Sequence, residues 1–184
     1  LLMSTKLQDE QMSLAKLSQR SAESLLDIVN DILDLSKIEM GNLILEKEVF
    51  ELSDLIEDVA SVFTLKAEEK GVTLNVPATV IPELNLRGDR LRIKQVLVNL
   101  VGNAVKFTEK GEVSLYLEVD PLSDESIILR IAIVDTGIGV SEEDQRHLFR
   151  RFKQADGSTT RRFGGTGLGL AISKEMIEAM EGSI

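Results

Sequence analysis

The sequence predicts an α+β chain: a two-layer α/β sandwich, with a mixed, mainly antiparallel sheet packed on helices, preceded by a long amphipathic bundle helix. Three observations lead there. Across residues 11–39, Leu25, Ile28, Ile32 and Leu35 recur three and four apart, with Ala22, Leu26, Val29 and Leu33 widening the stripe. A helix with such a face buries it against other helices. Residues 112–119 and 126–134 are β-rich runs around a turn-rich 120–125, which reads as an antiparallel pair. In residues 89–107 the apolar positions Leu91, Ile93, Val96, Leu97, Leu100, Val101 and Ala104 nearly cover a helix, which is therefore expected to be mostly buried.

The elements follow in order. Charged Glu23, Asp27, Asp31, Asp34 and Lys37 lie beside the first stripe, and Gly41-Asn42 supplies its stop. Residues 43–50 alternate apolar and polar like a strand, and Ser53-Asp54 offers an N-cap for a second amphipathic helix ending before Gly71. Residues 72–76 read as another strand and 77–82, bounded by prolines, as an irregular connection. Asp89 is placed to cap the third helix. After the β pair come a glycine-containing loop at 135–140, a short helix near 142–149, a polar loop to Phe163, a glycine-rich segment and a last helix over 168–180.

Composition narrows the function. With 184 residues, 43% of them apolar, the chain has enough material for one domain and a helical appendage. Its apolar runs fall far short of the roughly 20 residues a membrane-spanning helix needs, and no signal peptide opens it. The absence of Cys excludes disulfides and Cys-ligated zinc, and a single His excludes a multi-histidine metal site. A net charge of −10 argues against nucleic acid, which demands a basic stripe. An anionic ligand here needs local backbone N–H groups, a few cations or a metal.

Four constellations carry chemistry. In Asn99-Leu-Val-Gly-Asn103-Ala-Val-Lys106-Phe-Thr108, the residues Asn99, Asn103 and Lys106 share one face of the third helix. Carboxamide oxygens suit a hard cation such as Mg²⁺, and Lys106 can offset phosphate charge; the two amides equally suit satisfying nearby backbone groups. In Asp135-Thr136-Gly137-Ile138-Gly139, just after a strand, the carboxylate can accept from an exocyclic amine while the glycines let backbone approach a flat ring. Asp-Thr-Gly also occurs in aspartic proteases, but one copy would require a dimer and nothing else in the chain supports that reading.

The third constellation, Gly164-Gly165-Thr166-Gly167-Leu168-Gly169-Leu170, leads into a helix, and its glycines permit turns that aim N–H groups at phosphate oxygens. It fits neither the Walker nor the dinucleotide template, and a hinge or helix-packing glycine cluster is the alternative. The fourth, Phe149-Arg-Arg-Phe152-Lys153-Gln154 with the Ser/Thr-rich run to Phe163, suggests a lid anchored by aromatics, although such spacing also serves plain packing.

In this order and spacing the four resemble the nucleotide-binding boxes of histidine kinases, whose ATP-binding fold is shared with DNA gyrase and the mismatch-repair protein MutL. Residues 21–39 also resemble the second helix of the kinase dimerisation bundle, in the style of hybrid sensor kinases. The resemblance implies residues 1–42 as part of the dimerisation and phosphoacceptor region and 43–184 as the ATP-binding catalytic domain. It implies ATP and Mg²⁺ as ligands, with Asn103 the principal Mg²⁺ ligand, Asn99 a possible second and Lys106 near the phosphates. Asp135 would receive the adenine amine, and Gly137, Ile138 and Gly139 would shape its pocket. Phe152 would anchor the lid. Arg161, Gly165, Thr166, Gly167, Leu168 and Gly169 would close over the triphosphate.

ATP-hydrolysing relatives place a Glu where this chain has Asn99, and an amide cannot serve as that base, so the kinase reading fits better than the ATPase one; a degenerate, nucleotide-independent kinase scaffold is the other alternative, disfavoured because the polar positions of the four constellations are filled. The resemblance further implies a receiver domain of a response regulator as partner, a homodimer through the helical region, and a cytoplasmic catalytic part with any membrane anchor outside this chain. The family's acceptor histidine stands in a Ser-His-Glu-like box on the first bundle helix, of which residues 1–7 look like the tail. His147, between Arg146 and Leu148, is expected to be an ordinary surface or packing residue. Two further strands are expected after residue 184. On this reading the chain binds nucleotide but does not autophosphorylate by itself.

Overall fold

The computed structural model describes residue 5 and residues 7–76, 84–123, 126–151 and 167–184. The chain divides into two compact units between Leu43 and Ile44. Among the described residues the first holds one helix, α1 (Asp9–Glu39), which starts two residues earlier than the apolar pattern required because the Gln11 side chain closes back on the Gln8 N–H at 3.1 Å. Leu25, Leu26, Ile28, Val29, Ile32 and Leu33 are all exposed along it.

The second unit runs β1 (Glu48–Glu51), α2 (Leu52–Lys70), β2 (Val72–Asn75), β3 (Asn85–Gly88), α3 (Arg90–Phe107), β4 (Gly111–Ser123), β5 (Ser126–Asp135), α4 (Glu142–Gln145) and α5 (Gly169–Ala179). Among the described residues β4 lies between β2, its parallel neighbour, and β5, its antiparallel one, while β1 and β3 form a separate antiparallel pair. The expected mixed sheet against helices is present.

Period-two alternation sorts the sheet's faces. Val113, Leu115, Leu117 and Val119 stand opposite Asp135, Ile133, Ile131 and Leu129, and of these Val113, Leu115, Leu117, Leu129, Ile131 and Ile133 pack with Leu52, Leu55, Ile56, Val59 and Phe63 of α2 and Leu97, Val101 and Val105 of α3 in the core. Each fully buried branched side chain contributes about 1.5–3 kcal/mol over its exposed state. Asp135 shares the face of Ile133 and Ile131, so the strand delivers its carboxylate to the helix side.

Several expectations need correction. The strand expected over 43–50 is only four residues long, because its partner β3 ends at Gly88, and the Glu46 N–H turns instead to Asp89 Oδ2 at 3.0 Å. Helix α2 begins at Leu52 rather than after Ser53, since the Leu52 N–H bonds the Leu84 carbonyl at 3.0 Å and the chain turns directly out of β1. Strand β4 continues through Pro121 into the segment expected to be a turn, paired with Ile127 and Ile128. The short helix stops at Gln145 because the N–H groups of His147, Leu148 and Arg150 each reach back three residues, not four. On α3, Leu91 is exposed and Ile93 and Leu100 are half-buried, so burial is concentrated from Val96 to Val105. The connection expected at 77–82 lies outside the described residues.

Candidate functional site

The site grows from the two ends of α3. At its start, Asp89 takes the Arg92 N–H at 2.9 Å, the expected cap. At its end, Lys70 Nζ donates to the carbonyl oxygens of Val105, Lys106 and Thr108 at 2.6, 3.0 and 2.8 Å. A cation there satisfies carbonyls that lack helical partners and opposes the negative end of the helix dipole. Nothing in the spacing of Lys70 pointed to this role, because its target lies on another helix.

Asn99, Asn103 and Lys106 occupy one half-buried face of α3. Asn99 Nδ2 donates to Ser173 Oγ at 2.8 Å, and Asn103 Nδ2 donates to Asn99 Oδ1 at 3.4 Å. Lys106 Nζ lies 4.9 Å from the Phe107 ring centroid. Burial, and secondarily the charge of Lys66, holds its ammonium below the ordinary value of 10.5. A partly desolvated cation beside two amides makes an anion-receptive face. Neutral carboxamide oxygens are donors suited to Mg²⁺ that shares its shell with phosphates and water; among the described residues there is no cluster of three His, Cys, Asp or Glu that would hold a metal unaided.

The loop after β5 folds against the end of α3. The Asp135 carboxylate accepts the Gly137 N–H at 2.8 Å through Oδ1, and the Ile138 N–H reaches the Phe107 carbonyl at 3.4 Å. Thr136 clasps the start of β4: its N–H donates to the Glu112 carbonyl at 3.1 Å and its Oγ1 accepts from the Glu112 N–H at 3.0 Å. Gly137 has no room for a side chain, since a Cβ would stand 2.6 Å from the Phe107 carbonyl oxygen and 2.7 Å from Asp135 Oδ1. Ile138 and Gly139 are exposed beyond it.

The third constellation reaches the first. Gly167 has φ +70°, Leu168 is buried, and α5 starts at Gly169, where the Leu168 side chain makes no capping hydrogen bond. A Cβ at Gly169 would fall 2.5 Å from Asn99 Oδ1, so the backbone of α5 lies directly on the Asn99 amide. Ser173, one turn on and 2% exposed, supplies that amide's hydrogen-bond acceptor. It was not singled out in the sequence, although a small hydroxyl between Ile172 and Lys174, four residues after a glycine of the loop, was the available signal. Phe152, Arg161, Gly165 and Thr166 lie outside the described residues.

The Histidine kinase-, DNA gyrase B-, and HSP90-like ATPase family matches residues 88–184. Over its whole length the chain is 44% identical to the signal transduction histidine-protein kinase BarA of Escherichia coli and 45% identical to the sensor histidine kinase GacS of Pseudomonas protegens. It spans about a fifth of the length of each. Among solved structures, full-length ShkA in complex with AMPPNP matches 98% of this chain over 36% of its own, at TM-score 0.75 and 33% identity. The Acinetobacter baumannii histidine kinase AdeS matches 97% of this chain over 78% of its own, at TM-score 0.66 and 28% identity.

Proposed function

We propose, for a chain that belongs to the Histidine kinase-, DNA gyrase B-, and HSP90-like ATPase family, that it is the ATP-binding catalytic part of a two-component sensor histidine kinase. It holds Mg-ATP and presents the γ-phosphoryl group to a histidine on a dimerisation domain, from which the group passes to an aspartate of a response-regulator receiver. The observation that carries this reading is the meeting of α3 and α5, where Gly169 and Ser173 close on Asn99 beside Asn103 and Lys106.

Each residue then has a role. Asp135 Oδ1 is committed to the Gly137 N–H, and the carboxylate's remaining lone pairs receive the adenine amine. Gly137, Ile138 and Gly139 form the wall beside the ring. Asn103 holds Mg²⁺ through its carbonyl oxygen, with Asn99 supporting it; the ion, when bound, neutralises charge on the phosphate oxygens. Lys106 adds a cation that burial leaves poorly hydrated and ready to pair with phosphate. Gly167, Leu168 and Gly169 offer the start of α5 to the phosphates, and Phe152, Arg161, Gly165 and Thr166 belong by resemblance to the lid that closes over them.

With an amide at position 99 no carboxylate activates water there, so catalysis consists of positioning and charge neutralisation while the acceptor brings the nucleophile. Residues 1–42 contribute to a dimerising bundle, in keeping with the exposed stripe through Leu25, Ile28 and Ile32. The catalytic part works in the cytoplasm; among the described residues no helix is long and apolar enough to cross a membrane.

A fluorescent ATP analogue titrated at millimolar Mg²⁺ tests the binding. The wild-type chain is expected to bind and Asn103→Ala and Asp135→Ala to lose at least about tenfold in affinity, the scale of a lost charge-assisted or metal contact. A wild-type chain that binds no analogue overturns the reading, and steady hydrolysis with no acceptor present turns it toward an ATPase.

A further inference from the structure

The junction of α3 and α5 holds one polar chain among apolar neighbours. Ser173 is buried with Ala171, Ile172 and Met176, and its Oγ takes the Asn99 Nδ2 donor at 2.8 Å, from a position 74 residues away in sequence. A carboxamide is asymmetric, with donors at one end and an acceptor at the other. With Nδ2 engaged by Ser173, Asn99 turns Oδ1 along its helix, where Asn103 Nδ2 donates to it at 3.4 Å. The NH₂ end of Asn103 is thereby drawn toward Asn99, and its carbonyl oxygen is the end left to face outward. Gly169 holds the same amide from a second side, because its α-carbon lies where a Cβ would be 2.5 Å from Asn99 Oδ1.

We propose that Ser173 is a positioning residue for the metal: acting through Asn99, it fixes the Asn103 amide with its oxygen, not its NH₂, toward the cation. The inference rests on the reading of Asn103 as the principal Mg²⁺ ligand. The distinction is qualitative for a hard cation, which binds carbonyl oxygen and is repelled by an amide NH₂. Without the Ser173 acceptor, a half-buried donor of Asn99 loses its partner, and turning the amide over becomes a way to regain one. Such a turn presents NH₂ to Asn103, which then offers its own oxygen to Asn99 and its NH₂ to the metal. The effect falls on Mg²⁺ and spares the adenine end, where Asp135 and Gly137 are untouched.

The test uses the full chain, a fluorescent ATP analogue and a Mg²⁺ titration at fixed analogue concentration, alongside binding in EDTA and a thermal melt. Ser173→Ala is expected to raise the Mg²⁺ concentration for half-maximal response about tenfold, the low end for a group that orients a metal ligand. Binding in EDTA and the melting temperature are expected to stay near wild type. Ser173→Thr, which keeps the hydroxyl, is expected to restore the Mg²⁺ midpoint. An unmoved midpoint in Ser173→Ala overturns the proposal, as do equal losses with and without Mg²⁺, which mark Ser173 as packing alone. A wild-type chain that binds the analogue with no response to Mg²⁺ overturns the metal reading of Asn103 itself, and the relay with it.

Discussion

Gly137→Ala sets a new side chain against backbone as well as against a side chain, which constrains its outcome tightly. The added Cβ would stand 2.6 Å from the Phe107 carbonyl oxygen and 2.7 Å from Asp135 Oδ1, about 0.8 and 0.7 Å inside ordinary contact at 3.4 Å. Neither neighbour yields freely. The Phe107 carbonyl is the end of α3 and receives the Ile138 N–H, and Asp135 is fixed by β5 and by the Gly137 N–H. Overpacking of this size costs about 1–3 kcal/mol. If the loop relieves the clash by moving, the Asp135 carboxylate leaves the position proposed to receive the adenine amine, and the same energy appears as a loss of about five- to 150-fold in affinity. Titration with a fluorescent ATP analogue, paired with a thermal melt, separates the two components. An alanine variant that binds within about twofold of wild type and melts at the same temperature would refute the reasoning, since the contacts on which it rests would then be absent.

Three other outcomes follow from the same geometry. Lys70→Met removes the cation from three carbonyls at the end of α3 and is expected to cost about 2 kcal/mol, about 6 °C in melting temperature, while Lys70→Arg keeps most of it; an unshifted melt contradicts this. Lys106→Met is expected to weaken Mg-ATP binding about tenfold while raising the melting temperature of the nucleotide-free chain, because burial penalises the ammonium. The sign of the pH effect follows from the lowered value: between it and 10.5 the unfolded chain holds more protons, so wild-type stability rises with pH and the gap to Lys106→Met closes as alkaline pH is approached. A gap that widens with pH rules out burial as the cause. Asp135→Ala is expected to abolish preference for ATP over GTP, measured by competition, because the carboxylate is the acceptor proposed for the adenine amine.

How far the sequence discloses all this depends on the range of each interaction. Helix α3, its Asp89 cap and the face shared by Asn99, Asn103 and Lys106 are legible because helical spacing is local. The antiparallel pair is legible for the same reason, and Asp135 at its end inherits its direction from the alternation of Ile131 and Ile133. Strand β3 is not, because Asn85-Leu-Arg-Gly88 has one apolar residue and acquires strand geometry only by pairing with β1. The Lys70 contact with α3 and the Ser173 contact with Asn99 join elements distant in sequence, so only packing brings them together. Residue type suggests the chemistry of each constellation, and the role proposed for each individual site residue comes from the resemblance to histidine kinases rather than from periodicity.

The most direct measurement of the central claim mixes this chain with a separately produced helical domain carrying an acceptor histidine, in the presence of Mg²⁺ and γ-labelled ATP, and follows the label. The account predicts label on that histidine, acid-labile as a phosphoramidate, and its disappearance with Asn103→Ala or Asp135→Ala in this chain. Tight nucleotide binding with no transfer to the histidine would contradict it.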